Sequence, residues 1–372
     1  MVAGAAGETT TMATVCVTGA GGFIASWLVQ RLLSGGRYVV HGAVRDPKTL
    51  HSTPLQQCVT RRRTTWMESK IIEICELGTL ITGMYVLRAA DPKHAHLKAL
   101  DGADERLRLF KADMLDLGSV TAAVTGCQGV FHVASPVPTS KPTDPERELV
   151  AAAVDGTRNV LSACHEAGVR RVVVVSSVAA IAVDPKCPAG VDLDEEWWSD
   201  VDFCRTIKGW YFLSKTLAER AAFAYGEETG LDVVSVCPSW VLGPLLQSSV
   251  NNSSLTLIEY LKAGDRDTVD DKMKNVVDVR DVAEALVLAY ETPAASGRYI
   301  CRAYPMSMTE IIVGIIKRFY PNHTYPTNFV KVQDERMFTS KKLQALGWRY
   351  RPAEETFKDI IESYKAAGIL NI

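Results

Sequence analysis

A glycine-rich turn between an apolar run and a helical pattern most constrains the fold of this chain. Residues 15–36 read VCVTGAGGFIASWLVQRLLSGG, so a strand is followed almost at once by a helix. Gly19 can adopt the backbone angles of so tight a turn, and the small Ala25 lets the helix pack close to the strand. Because Gly21 and Gly22 lack side chains, a diphosphate can approach the backbone there, where a helix N-terminus offers free N–H groups. The pattern predicts a dinucleotide-binding turn, with a purely structural strand–helix turn as the alternative.

Short β-branched runs alternate with stretches of helical periodicity through the first two thirds of the chain. Continuous apolar strands separated by helices predict a parallel sheet covered on both faces, which is a doubly wound α/β fold of the Rossmann type. Beyond residue 238 the chain becomes rich in Pro, Gly, Ser and Asn before helical patterns resume. We therefore expect a flexible N-terminus over 1–12, a dinucleotide-binding domain over 13–238 and mainly a smaller substrate-binding lobe over 239–372. The expected strands are 14–17, 38–44, 106–112, 129–134, 171–177 and 232–238, and the expected helices include 145–167, 208–226, 281–292, 307–319 and 354–367.

Composition excludes several classes of function. The formal net charge is -2, so no overall positive field attracts nucleic acid. The nine cysteines form no CxxC pair, which argues against a zinc site and a disulfide framework. The N-terminus lacks the pattern of a secretory signal, and no apolar run is long enough to span a membrane. We expect a cytoplasmic protein that binds neither a metal, nor nucleic acid, nor a membrane.

The end of the second predicted strand indicates which dinucleotide is bound. An acidic residue there would bind the ribose hydroxyls of NAD, whereas an arginine can pair with the 2′-phosphate of NADP. Here the strand ends at Arg45, whose guanidinium offers bidentate, charge-assisted donors. The residue that follows it is Asp46, which weakens the argument. The sequence favours NADP(H) over NAD.

A tyrosine, a lysine and a pair of adjacent serines suggest acid–base chemistry. Tyr211 and Lys215 are four positions apart in GWYFLSKTLAER, so they share one face of a helix. A nearby ammonium favours the ionised form of a phenol and so suits it to proton transfer near neutral pH. The pair Ser176–Ser177 ends a strongly apolar predicted strand, where a hydroxyl would face the ligand crevice. The alternative is that the tyrosine and the lysine have no catalytic role and belong to an ordinary amphipathic helix with a surface lysine.

These features together resemble the extended short-chain dehydrogenases/reductases, and more narrowly the plant cinnamoyl-CoA reductase and dihydroflavonol reductase group. The resemblance is carried by TGAGGFIA, FHVASP at 131–136, VDGTRNVL at 154–161, the serine–tyrosine–lysine set and DVRDVAEA at 278–285. It implies Ser177 as the catalytic serine, beside Tyr211 as proton donor and Lys215 as its support, for hydride transfer from the nicotinamide to a carbonyl carbon. The cofactor contacts that it implies are Gly19, Gly21, Gly22, Phe23, Ile24, Arg45, Lys93, Asp113, Met114, Ala134, Ser135, Tyr211, Lys215, Pro238, Val241 and Ser253.

The substrate is expected to be a small aromatic aldehyde, ketone or CoA thioester. Cinnamoyl-CoA reductases typically read KNWYCYGK around the tyrosine, where this chain reads KGWYFLSK, and Thr256 and Glu259 stand where they carry a His and a Lys. A glutamate beside the phosphates of CoA is electrostatically unfavourable, which argues against a thioester. Trp210 and Arg280 are further, weaker candidates for substrate contact. A sugar-nucleotide epimerase or dehydratase and a non-catalytic dinucleotide-binding regulator remain the alternatives, and a monomer and a homodimer are both compatible with the sequence.

Residues 48–90 do not fit the pattern of the family. Arg45 and Lys93 would normally be separated by a few residues, but here they are 48 positions apart, with Asp-Pro at both edges of the gap. Such a long connection is unusual within a compact α/β unit. We interpret 48–90 as a retained intron or a gene-model error, with a genuine surface loop or lid as the alternative.

Overall fold

Strands and helices alternate through most of the described residues. The structure is a computed structural model that describes residues 12–45, 94–136, 142–188, 190–262, 268–332 and 336–370. Residues 1–11, the segment 48–90 and Lys93 lie outside the described residues, so the expectations that concern them stay predictions. The strands are β1 (Ala13–Thr18), β2 (Tyr38–Val44), β3 (Leu107–Lys111), β4 (Gly129–His132), β5 (Arg171–Val175), β6 (Asp192–Leu193), β7 (Asp232–Pro238), β8 (Trp240–Leu242), β9 (Thr268–Asp271), β10 (Met273–Asp278), β11 (Gly297–Cys301), β12 (Tyr304–Ser307), β13 (Asn328–Lys331) and β14 (Met337–Phe338).

The α-helices lie between many of these strands and after the last of them. They are α1 (Phe23–Ser34), α2 (Ala95–Lys98), α3 (Ala103–Arg106), α4 (Leu117–Val124), α5 (Ala152–Glu166), α6 (Val201–Thr206), α7 (Trp210–Thr229), α8 (Asn252–Lys262), α9 (Val279–Glu291), α10 (Lys317–Phe319), α11 (Lys341–Ala345) and α12 (Ala353–Ala366). The helices predicted at 145–167 and 307–319 are present, but π-helical turns at Glu146–Ala151 and Glu310–Ile316 begin them. Within the part of the chain that the structure describes, no helix is both long and apolar enough to cross a membrane.

Seven parallel strands form the central sheet in the order β3-β2-β1-β4-β5-β7-β11. Strand β5 shows why both faces are covered: Val173 and Val175 pack into one apolar cluster, whereas Val172 and Val174 pack into another. Helices α1 and α9 cover the first face, and α4, α5 and α7 cover the second. The doubly wound α/β fold predicted from the sequence is therefore confirmed. Strand order reverses between β1 and β4, which opens a crevice at the carboxyl ends of these strands.

The chain returns to the central sheet after residue 238. Strand β11 pairs with β7 at the edge of the sheet, and α9 packs against α1. Residues beyond 238 therefore contribute to the central sheet as well as to the smaller lobe. That lobe contains the sheet β12-β10-β8 and an apolar cluster formed mainly by α8, the helical stretch 310–319 and α12.

Candidate active site

The glycine turn lies at the carboxyl end of β1 and is shaped by two close approaches. Gly19 has φ +66°, a conformation that favours glycine, and a Cβ there would lie 3.1 Å from the Cα of Ala134. Gly22 donates its backbone N–H to the Gly19 carbonyl at 2.8 Å. No side chain caps the N-terminus of α1, which starts at Phe23. The first-turn N–H groups, including that of Ile24, thus stay open to a ligand, and the residues present fit the diphosphate of a dinucleotide.

A histidine that the sequence analysis did not single out lies beside this turn. His94 is buried, and a Cβ added to Gly21 would lie 2.5 Å from its Nδ1 atom. Its Nε2 atom is 3.4 Å from the carbonyl oxygen of Arg45, the exposed residue that follows β2. His94 therefore occupies the space between the glycine turn and the end of β2. Its position immediately after Lys93 was the signal in the sequence that it belongs to this region.

The predicted cofactor residues after β3 form a short turn against α5. The carboxylate of Asp113 accepts the N–H of Leu115 at 3.0 Å. The carbonyl of Met114 accepts from Nδ2 of Asn159 at 2.9 Å, and its side chain lies against Gly156. These bonds hold the turn at the carboxyl edge of the sheet.

The carboxyl end of β4 is held by a buried polar network. Thr18 accepts the backbone N–H of Ala134, and its hydroxyl lies 3.0 Å from Nδ1 of the buried His132. Burial, together with a smaller effect of the positive charge of Lys215, lowers the pKa of His132 to about 3. The network sets the course of the loop that contains Ala134 and Ser135, both half-buried, across the glycine turn.

The two serines at the end of β5 have different partners. Ser176 donates its hydroxyl proton to Oε2 of Glu219 at 2.8 Å inside the protein. Ser177 begins a short 3₁₀ turn at Val178–Ala180 and accepts the N–H of Ala179 at 3.1 Å, which leaves its own proton to donate. Ser177 is therefore the serine whose hydroxyl can serve a ligand.

Tyr211 and Lys215 lie on α7, which packs against α5 and the π-helical turn Glu146–Ala151 that precedes it. Tyr211 is 47% exposed, whereas Lys215 is only 9% exposed. The ammonium of Lys215 donates to the carbonyl of Val175 at 3.3 Å, two residues before Ser177. The lysine thus lies under the carboxyl end of β5, and the phenol lies one helical turn away towards solvent.

The remaining predicted cofactor residues lie where the sheet meets the smaller lobe. Pro238 ends β7, and Val241 lies in the next strand, β8. The hydroxyl of Ser253 donates to the Val241 carbonyl at 2.6 Å and accepts from Nδ2 of Asn251 at 2.6 Å. Its observed role is therefore to fasten α8 to β8.

The four candidate substrate residues are in dissimilar surroundings. Trp210 is half-buried and packs against a small apolar cluster formed by the π-helical turn Glu146–Ala151, α6 and α7. Thr256 donates back to the Asn252 carbonyl at 3.0 Å, and Glu259 is exposed on the same helix. Arg280 directs its guanidinium to carboxylates, at 2.8 Å from Asp278 and 2.7 Å from Asp359. The donors of Arg280 are thus engaged by protein partners.

The arrangement provides a phenol, a hydroxyl with a free proton and a buried ammonium beside a turn suited to a diphosphate. Among the described residues there is no group of three or more His, Cys, Asp or Glu placed to hold a metal ion. This set of groups can polarise a carbonyl oxygen and supply it with a proton.

Comparison with known proteins agrees with this fold. The model of the NAD dependent epimerase/dehydratase family matches residues 15–301. Cinnamoyl-CoA reductase 1 of Petunia hybrida is 40% identical over 96% of this chain and 94% of its own length. Vestitone reductase from alfalfa (Medicago sativa L.) superposes with a TM-score of 0.72 at 28% identity, covering 96% of this chain and 99% of the other. Gre2 of Candida albicans, crystallised with NADPH, superposes with a TM-score of 0.75 at 26% identity, covering 95% and 99%.

Proposed function

Because this chain belongs to the NAD dependent epimerase/dehydratase family, as an extended short-chain dehydrogenase/reductase related to plant cinnamoyl-CoA reductases, we propose that it is an NADPH-dependent carbonyl reductase. The proposed substrate is a small aromatic aldehyde or ketone of the phenylpropanoid type. A CoA thioester is the less favoured member of the same class.

One observation carries the proposal: a buried ammonium is bonded to the last residue of β5, a phenol precedes it by one helical turn, and a serine with a proton to donate follows β5. Lys215 bonds Val175 at 3.3 Å, Ser177 follows two residues after the end of that strand, and Tyr211 precedes the lysine by one helical turn. An exposed phenol next to a crevice can reach a bound carbonyl, whereas a buried one cannot. The glycine turn lies at the same edge of the sheet, across β4.

The proposed mechanism assigns one task to each side chain. When bound, the reduced nicotinamide supplies hydride to the carbonyl carbon of the substrate. The hydroxyl of Ser177 donates a hydrogen bond to the carbonyl oxygen and polarises the C=O bond. Tyr211 donates its phenolic proton to the same oxygen as negative charge develops there. Lys215 supports the proton donor through its charge and hydrogen bonds.

The preference for NADP(H) rests on Arg45 at the end of β2. Arg45 is exposed at the carboxyl end of β2, where the ribose of a bound dinucleotide would carry its 2′-phosphate. The related Gre2 of Candida albicans was crystallised with NADPH. His94 contacts the carbonyl oxygen of Arg45 and also lies against the glycine turn, so it links the end of β2 to that turn.

The preference for an uncharged aromatic carbonyl over a thioester rests on Glu259. Its carboxylate is exposed on α8 of the smaller lobe, and α8 is fastened to the sheet through Ser253. The phosphates of CoA would be repelled there. The relatives of this chain include a vestitone reductase as well as a cinnamoyl-CoA reductase.

The test is a substrate panel with purified full-length protein and NADPH. Aromatic aldehydes, aromatic ketones and hydroxycinnamoyl-CoA thioesters are compared by the loss of absorbance at the nicotinamide band. We expect net NADPH oxidation with aldehydes or ketones and at least tenfold lower kcat/KM with NADH. Conversion of a UDP-sugar without net cofactor consumption would indicate an epimerase instead, and tight NADPH binding without turnover of any substrate would indicate a regulator.

A further inference from the structure

A buried ion pair lies directly beneath the candidate catalytic residues. Arg298 of β11 donates from Nε and Nη2 to the two carboxylate oxygens of Glu219 in α7, both at 3.0 Å. The side chains are 7% and 0% exposed. Because taking two charges out of water is costly, apolar side chains often fill such a place at least as stably. Stability alone is therefore a weak explanation for this pair.

The carboxylate of Glu219 also receives hydrogen bonds from two strands. Ser176 at the end of β5 donates to Oε2 at 2.8 Å. Ser235 in β7 donates to Oε1 at 2.6 Å. Together with Arg298, these bonds attach α7 to three neighbouring strands of the central sheet through one side chain.

Arg298 is held equally firmly from its other side. Its Nη1 atom donates to the carbonyl oxygens of Glu195 and Trp197, at 3.0 and 2.6 Å. The guanidinium also lies 3.6 Å from the ring centroid of Trp198, a close cation–π contact. A guanidinium with this many partners cannot follow Glu219 if the helix moves, so it fixes the position of the carboxylate.

The spacing along α7 connects this pair to the candidate active site. Glu219 is four residues beyond Lys215 and eight beyond Tyr211, so the three side chains lie along one face of the helix. Ser176 directly precedes Ser177. Two successive turns of α7 are thus bonded to the end of β5, one through Lys215 and one through Glu219.

We propose that Glu219, held by Arg298, is a positioning residue that sets the register of α7 against the end of β5. It thereby keeps Tyr211 and Lys215 opposite Ser177, although it does not itself touch the substrate. The inference rests on the proposed function for the roles of those three residues.

The test compares Glu219→Gln and Ser176→Ala with a matched control. Gln keeps the shape of Glu219 but removes the charge that Arg298 requires, and Ala removes only the bond to Ser176. The control is Arg171→Lys, at the opposite end of β5, which disturbs another buried arginine bonded to Asp232 at 2.7 Å and to the Thr292 carbonyl at 2.6 Å. Thermal unfolding compares the stabilities of the variants, and the kinetics are measured at a temperature well below the melting temperature of each one.

For Glu219→Gln we expect kcat to fall about 10- to 100-fold, as small misplacements of reacting groups do, with KM and the NADPH Kd within about threefold. Ser176→Ala should lower kcat by a smaller factor, and Arg171→Lys should lose stability but keep kcat within about twofold. An equal loss of kcat in Glu219→Gln and Arg171→Lys would overturn the proposal.

A second measurement does not depend on turnover. Crystal structures of the parent and of Glu219→Gln with NADP⁺ give the distance between Ser177 Oγ and the Tyr211 hydroxyl. A lengthening by about 0.5 Å or more supports positioning, because catalytic groups must be held within about that tolerance. An unchanged distance overturns it, whether or not the parent reduces any carbonyl. A parent that reduces no carbonyl but shows the lengthening would refute the proposed function and leave the positioning role intact.

Discussion

The hydroxyl oxygen of Thr18 lies 3.0 Å from Nδ1 of His132, across the carboxyl ends of two adjacent strands. This oxygen already accepts two backbone N–H groups, one of them from Ala134, so its single proton is directed to the imidazole. On the other side of the ring, Thr157 donates its own proton to the Ala153 carbonyl at 2.8 Å, so Nε2 carries the proton that it shares with Thr157. The network therefore requires a neutral imidazole protonated on Nε2.

This requirement predicts a stability that depends on pH. The pKa of His132 is lowered to about 3 by burial and by Lys215, against an unfolded value near 6.5. Between these values the unfolded chain binds more protons, so the stabilisation is complete above about pH 6.5 and is lost as the pH falls. We expect His132 to account for a loss of about 1 kcal/mol in the free energy of unfolding between pH 7.5 and pH 5.5. Urea denaturation followed by circular dichroism at the two pH values measures it.

The control for this prediction is His132→Asn, which keeps a polar side chain but no titratable group. Asp281 makes the comparison necessary, since burial raises its pKa to about 6 and its contribution to stability therefore grows as the pH falls. The parent should lose more stability than the variant over the same interval. Curves that run parallel would show that His132 does not titrate as described.

Replacing Tyr211 by Phe should abolish turnover while leaving the fold intact. The side chain is 47% exposed, so loss of its hydroxyl has little effect on packing. Removal of a general acid typically lowers kcat about 100- to 10,000-fold. Steady-state kinetics, NADPH fluorescence titration and thermal unfolding are the measurements. Tyr225→Phe on the same helix is the matched control and should retain kcat, and an active Tyr211→Phe variant would defeat the proposed mechanism.

Replacing Gly19 by Ala should damage the turn in two ways. The residue has φ +66°, and its new Cβ would lie 3.1 Å from the Cα of Ala134. We expect the free energy of unfolding to fall by about 2 kcal/mol and the Kd for NADPH to rise at least about tenfold. Gly36→Ala is the control, because Gly36 shares the positive φ (69°) but has nothing within 4 Å of the added Cβ. The Gly36→Ala variant should lose a little stability and bind NADPH normally. Equal effects at both sites would show that the close approach of Gly19 to Ala134 is not the cause.

Local pattern was sufficient to predict most of the central sheet. Strands β4 and β5 are buried along their whole length, so their apolar runs are continuous and easily recognised. The turn at Gly19 was predictable because a tight strand–helix connection restricts the residues that fit it. The choice of serine was not predictable from the residues alone: Ser176 and Ser177 differ only in which of them the fold turns towards Glu219.

Features decided by long-range contact were missed. Strand β11 is only five residues long and joins the sheet beside β7, from which it is separated in the chain by β8, α8, β9, β10 and α9. Glu219 and Arg298 form an ion pair although they are 79 positions apart in the chain, and the sequence around either residue does not identify its partner. An arginine inside an otherwise apolar strand was the one available signal, because a buried charge requires a partner.

The ends of the anomalous connection meet in the structure. Nε2 of His94 lies 3.4 Å from the carbonyl oxygen of Arg45, although 48 residues separate these two positions in the chain. A chain lacking 48–90 would keep five residues between them, enough to join two contacting points. The segment can therefore be removed without displacing either β2 or α2.

Deletion of 48–90 should stabilise the protein and tighten NADPH binding. Shortening the connection from 48 residues to five lowers the entropic cost of closing it by about 2 kcal/mol. The deletion also brings Lys93 within a few residues of Arg45, where both can serve the 2′-phosphate. Thermal unfolding and NADPH fluorescence titration of the full chain and the deletion variant measure the two effects. A variant in which 48–90 is replaced by a Gly/Ser sequence of equal length separates the effect of length from that of sequence. If the full chain and the deletion variant have the same melting temperature and the same Kd for NADPH, the prediction is wrong.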